Sequence, residues 1–392
     1  MESLKFVHCA DIHLEAPFRE HGEGGYAETR RMDIRKAFLR ILRAVKEQEA
    51  DFLLISGDLF EQRYITRKTM EWLNMVLSDA QTPIFIIPGN HDPYLRNSWY
   101  EVWDWPENVH LITPQNPQFV LEDKKVFIYG MGFSSYKQGK PDMSLVPPPQ
   151  KGFFNILMLH GTLDMDFSGE AYQPVTSSQL MALNYDYYAL GHFHQPRSEY
   201  SLGNMINPGS PEPLGFDETG THGAYGVTAI FTSSGIKLEA ELFETAQRVY
   251  HSIPVDVTGL KGLEEVKMKL LGALEGLDRQ RDLTQITLRG RTSMILDAQA
   301  LTSFFSEGWL YLEIRNETQK AFDLEALAKD PAIKGAFVRN LQQKLEGVEK
   351  ALEKDRAQPD LLEEKSRLEL ALYYGLEALQ NGKIEGWGED GL

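Results

Sequence analysis

The sequence predicts an α/β fold through its first ~245 residues, and three observations predict it. Short apolar, β-branched and aromatic runs recur, each closed by a Gly- or Pro-punctuated polar turn, which is the pattern of strand followed by loop. Apolar residues fall at helical spacing between the first of these runs. The residues with metal-binding chemistry stand directly after the runs, where an open α/β sheet releases its loops into a shared crevice.

The strand-like runs are residues 5–10, 52–56, 84–87, 126–129, 156–159 and 187–190, and their near-continuous apolarity suggests sheets covered on both faces. Ile34, Phe38, Ile41, Leu42 and Val45 predict a helix after the first run. Thr66 is placed to cap a second helix carrying Met70, Leu73 and Leu77. Residues 139–152, with Pro147, Pro148 and Pro149, read as an extended surface connection. Residues 205–243 read as strands and turns alone. Beyond residue 246 the texture changes to a smaller α/β unit: strand 251–257, helix 263–274, strand 284–289, helix 298–305 and strand 309–315.

From Pro331 onward two amphipathic segments follow, separated by Pro359. One carries Phe337, Leu341, Leu345, Val348 and Leu352, the other Leu361, Leu368, Leu372 and Leu376. The tail is Gly-rich and acidic, and is expected to fray. The boundaries expected from this texture are a domain over 1–248, an α/β capping domain over 249–325 and a helical tail over 326–392.

A length of 392 residues exceeds the roughly 250–300 that one core sustains, so more than one domain is expected. No stretch approaches the ~18 uninterrupted apolar residues of a membrane helix. The opening MESLKFVHCADIH leaves no room for a signal peptide, and the lone Cys9 sits in an apolar run as a small core residue. Both features fit a cytoplasmic protein without membrane partners. The formal charge of −17 opposes nucleic acid as a partner, although bound cations can dominate a local site.

Five motifs follow five predicted strands: Asp11-Ile12-His13, Gly57-Asp58, Gly89-Asn90-His91-Asp92, His160-Gly161 and Gly191-His192-Phe193-His194. Ligands at i and i+2 leave a strand end on one side, so Asp11 with His13, and His192 with His194, are expected to act as local pincers. Carboxylate, imidazole and amide donors without thiolate suit Mn, Fe or Zn. The neighbouring glycines permit tight turns and close approach of a phosphate. One Asp-x-His means little by itself. Here, however, five of the ten histidines fall in motifs, each after its own strand, which core or surface histidines have no reason to do. His8, His21, His110, His222 and His251 lack such company and read as structural or exposed, with His222 also a candidate for phosphate contact.

D-x-H, GD, GNHD, H and GHxH in this order resemble the calcineurin-like metallophosphoesterase superfamily over residues 5–195. CADIHLEAPF, WPENVHLI, DYYALGHFHQP and NPGSPE resemble, within it, the DNA repair exonucleases of the SbcD type and in particular the YhaO group. The resemblance implies a four-layer α-β-β-α metallophosphoesterase sandwich with a small α/β capping domain and C-terminal helices. It implies two divalent metals, manganese first, with iron, zinc or magnesium as alternatives. One would be held by Asp11, His13 and His194, the other by Asn90, His160 and His192, with Asp58 bridging. His91 would be the catalytic non-ligand, and Asp92 would orient it or its loop. Such a pair of cations activates a water and clamps phosphate oxygens during in-line displacement.

The implied activity is a metal-dependent phosphodiesterase or exonuclease acting on DNA in repair. The alternatives are a small nucleotide or phosphoprotein substrate, and a structural adaptor with a vestigial site. The two C-terminal segments read either as a helical hairpin folded onto this chain or as a docking site for a partner's helix, and the implied partners are DNA, an SbcC-like ABC ATPase with a coiled coil, which favours docking there, and a second copy of the chain. Arg30, Arg31, Arg35, Lys36, Arg40 and Arg43 form a basic face on the first helix, and Arg30 and Arg31 are candidates for phosphate contact, against the commoner role of a solvated face. Trp99, Trp103 and Trp105 read as a small loop core rather than a base-stacking platform.

Overall fold

The computed structural model describes residues 2–18, 25–165, 172–197, 203–354 and 359–381. His21 and the tail beyond Asn381 lie outside the described residues. In chain order the elements of the first part are β1 (Ser3–Cys9), α1 (Tyr26–Glu47), β2 (Phe52–Ser56), α2 (Arg67–Ala80), β3 (Ile84–Ile87), α3 (Trp99–Val102), β4 (Val109–Leu111), β5 (Gln118–Leu121), β6 (Val126–Met131), β7 (Phe154–His160), α4 (Ser177–Met181), β8 (Tyr187–Gly191), β9 (Met205–Ile206), β10 (Gly223–Thr232) and β11 (Gly235–Glu244). The proline-rich connection before β7 holds only a single 3-10 turn, Met143–Leu145.

Two sheets organise this part. One has the order β11-β10-β1-β2-β3-β4, the other β5-β6-β7-β8-β9. Strands β1 to β4 run parallel, as do β6 to β9, so their carboxyl ends share one edge in each sheet. Parallel neighbours need a crossover, and α1 and α2 supply it between β1 and β2 and between β2 and β3. Thr66 caps α2 by accepting from the Thr69 N–H, as its position predicts.

The alternation of side chains along each strand builds three apolar layers. Val7, Leu53, Ile55 and Ile86 face Ile34, Phe38, Ile41, Met70, Leu73 and Leu77 of the two helices. The opposite faces of the same strands, through Phe6, Phe52, Leu54 and Phe85, meet Ile128, Ile156, Met158 and Tyr187 of the second sheet. Leu157, Leu159, Tyr188 and Leu190 then face outward to Leu180 of α4. The order is helix, sheet, sheet, helix. Cys9 is fully buried in the first layer, and the tryptophan loop packs there too, with Trp105 stacked on Tyr100 at 5.6 Å.

The remaining elements are β12 (Val249–Asp256), α5 (Leu263–Ala273), β13 (Asp282–Arg289), β14 (Arg291–Thr292), α6 (Ala298–Phe305), β15 (Leu312–Asn316), β16 (Gln319–Lys320), α7 (Leu324–Ala328), α8 (Ile333–Lys354) and α9 (Pro359–Asn381). β12, β13 and β15 form a three-stranded sheet, and β14 pairs in parallel with β16. Compactness divides the chain into two units: 1–253 with 276–286 and 299–314, and 254–275 with 287–298 and 315–392. Within the second unit α8 and α9 pack on each other through Val338, Leu341, Leu372 and Leu376. Phe337, Leu345 and Leu368 join this cluster as partly buried residues. No described helix is long and apolar enough to cross a membrane.

Candidate metal centre

All five motifs lie at the carboxyl ends of the parallel strands, three on the first sheet and two on the second. The first two are locked in register beyond their strands. Asp11 N–H donates to Gly57 O at 3.1 Å, His13 N–H to Asp58 O at 3.0 Å and Leu14 N–H to Leu59 O at 3.1 Å. The ligand side chains therefore leave a backbone ladder rather than a free loop.

That ladder is strained. Asp11, His13 and Asp58 all have φ of 51° and His192 has 99°, in the left-handed region that L side chains avoid. Two glycines make the crowding feasible. Gly57 takes φ 91° and a Cβ there would overlap the His160 imidazole, while a Cβ at Gly89 would overlap the Asp58 carboxylate.

Asp11, His13, His160 and Asp58 are buried, and Asn90 nearly so. Asp11, His13 and His194 bring one donor atom each within 4.8 Å of one another, and so do Asp11, Asp58 and His160. Asn90 Oδ1 lies 3.0 Å from His160 Nε2 and 3.0 Å from His192 Nδ1. Asp58 Oδ2 lies 3.3 Å from His160 Nε2 and 3.7 Å from His13 Nε2, between the two groups of ligands. The His192–Phe193–His194 pair is not the local pincer expected from its spacing. The positive φ of His192 turns the backbone, so His194 joins His13 while His192 faces Asn90.

Hydrogen-bond polarity tests whether these residues fit a cation. A carboxylate can only accept, so His13 Nδ1 donates to Glu61 at 3.0 Å and His194 Nδ1 donates to Glu218 at 2.6 Å. Both Nε2 lone pairs are then left facing each other, 3.1 Å apart. His160 repeats the pattern: its Nδ1 donates to Ser56 O at 2.8 Å, leaving Nε2 aimed at the oxygens of Asn90 and Asp58. Acceptors converge on acceptors at two places. Divalent cations satisfy such sets, and carboxylates that accept from the other ring nitrogen of ligating histidines are the usual support.

Protonation in the metal-free centre follows the same crowding. Burial disfavours charge on His160 and His194, but Asp58 for the first and Glu218 for the second outweigh it and push each pKa up to about 9. Burial likewise opposes charge on Glu61 and Glu218, yet their histidine partners hold both down at about 2. His192 goes the other way, to about 3, through burial and the neighbouring His160.

His91 is not among the converging ligands. Its side chain is 44% exposed, its backbone N–H donates to Asp58 Oδ1 at 2.8 Å, and its Nδ1 lies 3.0 Å from Glu61 Oε1 and 3.1 Å from Oε2. Burial lowers its pKa, but the Glu61 hydrogen bond and the Asp58 charge prevail and raise it to about 9.

Asp92 is expected to orient His91 or its loop, and its hydrogen bonds are to the loop: among the described residues none joins its carboxylate to the His91 ring. Its carboxylate accepts from the backbone N–H of Gly89, Asp58, Leu59 and Phe60 and from Tyr100 Oη, so it ties the Asp58 loop to the Asn90 loop. Burial and the Asp58 charge push its pKa up to about 6 in spite of these donors. The residue behind His91 is Glu61.

Two further candidates are displaced by burial. Arg30 is fully buried, paired with Asp33 at 2.9 Å and Glu212 at 2.5 Å, so no substrate phosphate reaches it. His222 is buried with Nδ1 on Ser210 O at 2.9 Å and is structural. The rest of the basic helix face is largely committed: Arg35 to Glu15, Arg40 to Thr245 O and Lys36 to Asp33. Arg31 stays partly exposed, 3.7 Å from Glu15. His8 is core, held between Tyr187 Oη and Ser56 Oγ at 3.0 Å each.

Glu61 and Glu218 were not singled out by sequence. Neither carries a motif signal, since each acts on a histidine brought near it only by folding.

Comparison with known proteins agrees with this centre. Residues 4–196 match the model of the calcineurin-like phosphoesterase family. That segment is a calcineurin-like phosphoesterase domain. Among curated proteins, the uncharacterized metallophosphoesterase YhaO of Bacillus subtilis is 30% identical over 278 residues, which cover 67% of this chain and 65% of that protein. The alignment thus spans just under two thirds of that relative's length. A DNA double-strand break repair protein Mre11 of Archaeoglobus fulgidus is 26% identical over 80% of this chain and 74% of its own. Among solved structures, a dimetal phosphatase from Danio rerio matches at a TM-score of 0.36 and 10% identity, covering 62% of this chain and 99% of its own. The phosphoesterase domain belongs to a family of metal-dependent hydrolases, and its residues supply candidate ligands for a dimetal centre.

Proposed function

We propose that this chain is a two-metal-dependent DNA nuclease subunit that hydrolyses phosphodiester bonds in DNA repair. The observation that carries the reading is the convergence of seven ligand side chains beside one exposed, non-ligating imidazole. Asp11, His13 and His194 would hold one cation, Asn90, His160 and His192 the other, and Asp58 would bridge. When bound, the pair would activate a water and neutralise the charge of a phosphodiester. His91 would supply a proton to the leaving oxygen: its ring stands outside the converging ligands, is open to solvent and is hydrogen-bonded through Nδ1 to Glu61, a carboxylate that favours its protonated form.

Support for DNA over a small phosphoester comes from the length of the Mre11 alignment. The alignment covers 80% of this chain and so runs well beyond the phosphoesterase segment of residues 4–196, into the α/β part. On this reading residues 249–325 cap the active site and help position DNA. Residues 326–392 dock an SbcC-like ABC ATPase, manganese is the working metal, and a second copy of the chain pairs across the catalytic domain. Arg31 is the one member of the basic pair open enough to touch phosphate.

The test is cleavage of end-labelled linear DNA by the purified chain with Mn2+, with and without the ATPase. Asp58→Ala and His91→Ala should each abolish cleavage. Undiminished cleavage in both variants would overturn the assignment, and turnover of nucleotides without any cutting of DNA would favour a small substrate.

A further inference from the structure

The second unit holds a cavity of about 660 Å3, an ordinary size for a small-molecule site, and every residue that lines it belongs to that unit. Leu324, Leu345 and Leu372 make part of its wall apolar, while Arg289, Arg291 and Gln319 make another part polar. The two arginines flank Gly290, and the backbone that carries them is fixed. Gly290 takes φ 94°, and a Cβ there would overlap the Asp256 carboxylate and the Thr258 hydroxyl. Thr258 Oγ1 donates to Asp256 Oδ1 at 2.6 Å and accepts from the Arg291 backbone N–H at 3.1 Å. Gln319 N–H donates to Gly290 O at 2.9 Å.

The Arg291 side chain is held in place but not neutralised. Its Cζ lies 3.7 Å from the Tyr373 ring centroid, and Tyr373 is itself stacked on Phe322 with centroids 6.2 Å apart. Of its five N–H groups, one makes a long bond, from Nη1 to Lys320 O at 3.5 Å, and among the described residues no carboxylate stands within ion-pair distance. Burial lowers its pKa against the opposing pull of Tyr373 and Glu377, the direction expected of a cation short of compensating charge. Both carboxylates that line the cavity have other partners: Glu317 lies 3.4 Å from Arg289, and Glu369 lies 3.9 Å from Lys365.

We propose that this cavity binds a nucleoside 5′-phosphate, with the phosphate on the edge of the Arg291 guanidinium and the nucleoside against the leucine wall. A guanidinium stacked by one face keeps its edge free for two parallel N–H···O bonds, the geometry that suits phosphate oxygens. Its second face offers a stacking surface to a planar base. A bare phosphate would fill a small fraction of the cavity and leave the leucines wet, so the charge must arrive with a larger body. The Gln319 amide and the Ser366 hydroxyl, both on the lining, supply donors and acceptors for a sugar or a base edge. The nucleotide is either free or the 5′ end of a strand, and the chemistry is the same.

The test uses the full chain in EDTA, so that no cation in the phosphoesterase domain can hold phosphate. Calorimetric titrations compare dTMP, thymidine, inorganic phosphate and a 5′-phosphorylated thymidine tetranucleotide. dTMP should bind, and thymidine and inorganic phosphate should each bind about 10-fold or more weakly than it. Arg291→Gln should weaken dTMP by about 10-fold or more, as loss of charge-assisted bonds does. Arg291→Lys, which keeps the charge and lacks the fork, should recover part of that loss, and it decides the case if Arg291→Gln does not fold. Tighter binding of the tetranucleotide than of dTMP would support a strand end as the source, and the reverse a free nucleotide.

No measurable dTMP binding to the wild-type chain would overturn the proposal, as would equal affinity in wild type, Arg291→Gln and Arg291→Lys. Thymidine binding as tightly as dTMP would remove the phosphate from the site, and inorganic phosphate binding as tightly would remove the nucleoside. None of these outcomes depends on hydrolysis at the metal centre.

Discussion

His13 Nε2 and His194 Nε2 face each other at 3.1 Å, each backed by a carboxylate on its opposite nitrogen. Two lone pairs at that distance repel unless a positive charge stands between them. In the metal-free protein a proton fills the role, and Glu218 behind His194 favours it against burial. In the loaded protein a cation would fill it. The centre is therefore a competition between protons and metal for the same nitrogens.

The first prediction follows from that competition. Neutral imidazole is the ligand form, and His160 and His194 are protonated below about 9 without metal. Mn2+ binding at pH 7.5 should release protons, and affinity should climb with pH until about 9 and then level off. Calorimetry in two buffers of different ionisation enthalpy measures the release. The sign reverses for the metal-free fold. A raised histidine pKa gives stability that is complete below the unfolded value of about 6.5 and is lost as pH rises through about 9. The Tm of metal-free protein should fall across that window, and added Mn2+ should raise Tm more at pH 8.5 than at pH 6.5.

Asp92 separates support from catalysis. Its carboxylate accepts four backbone N–H groups and one phenol, all buried, and none of them belongs to the His91 ring. Asp92→Ala should destabilise by about 3 kcal/mol or more, since several buried donors lose their acceptor together. Mn2+ affinity should fall with it, because the Asp58 and Asn90 loops come untied. His91→Ala, at a half-exposed side chain, should leave Tm within a degree or two of wild type while removing activity. Thermal melts and Mn2+ titrations of both variants check the contrast.

How far the sequence could be read depends on whether a residue's role is local. The strands announced themselves because apolar runs buried on both faces need no distant information, and residues 52–56 and 84–87 are strands as expected. The ligand motifs were legible for the same reason, each being tied to the end of its own strand. Glu61, Glu218 and the true contacts of Asp92 were not. Glu218 reaches His194 across 24 residues, and Arg30 finds Glu212 across 182, pairings that no periodicity encodes. Arg30 also shows how residue type can mislead where spacing does not: four residues before Ile34 and eight before Phe38, it lies on the buried face of its helix.

Arg30 is thus expected to behave as a structural residue. It bridges Asp33 and Glu212 with no solvent contact, and Arg248 approaches the same Asp33 at 2.7 Å. Arg30→Ala would leave Glu212 as an uncompensated buried charge, and breaking such a pair destabilises by roughly 3–5 kcal/mol. Arg31→Ala should alter Tm by little, as exposed pairs contribute at most about 1 kcal/mol. Fluorescence anisotropy with labelled DNA supplies the second readout: the folded fraction of Arg30→Ala should bind as wild type does, and any loss of affinity should appear in Arg31→Ala.

The tightest constraint on the centre is at Gly89. A Cβ at this position would overlap both the Asp58 carboxylate and its backbone nitrogen, and neither yields without disturbing a hydrogen bond. The carboxylate is held by the His91 N–H at 2.8 Å, and the backbone nitrogen is held by Asp92. Gly89→Ala must therefore push Asp58 away from its place between the two ligand groups. Overpacking of this kind destabilises by about 1–3 kcal/mol, a modest fall in Tm that leaves the fold intact. The larger effect should be on metal: with the bridging carboxylate displaced, Mn2+ affinity should drop by an order of magnitude or more. Calorimetry on folded Gly89→Ala measures it, and affinity equal to wild type would remove Asp58 from the bridging position.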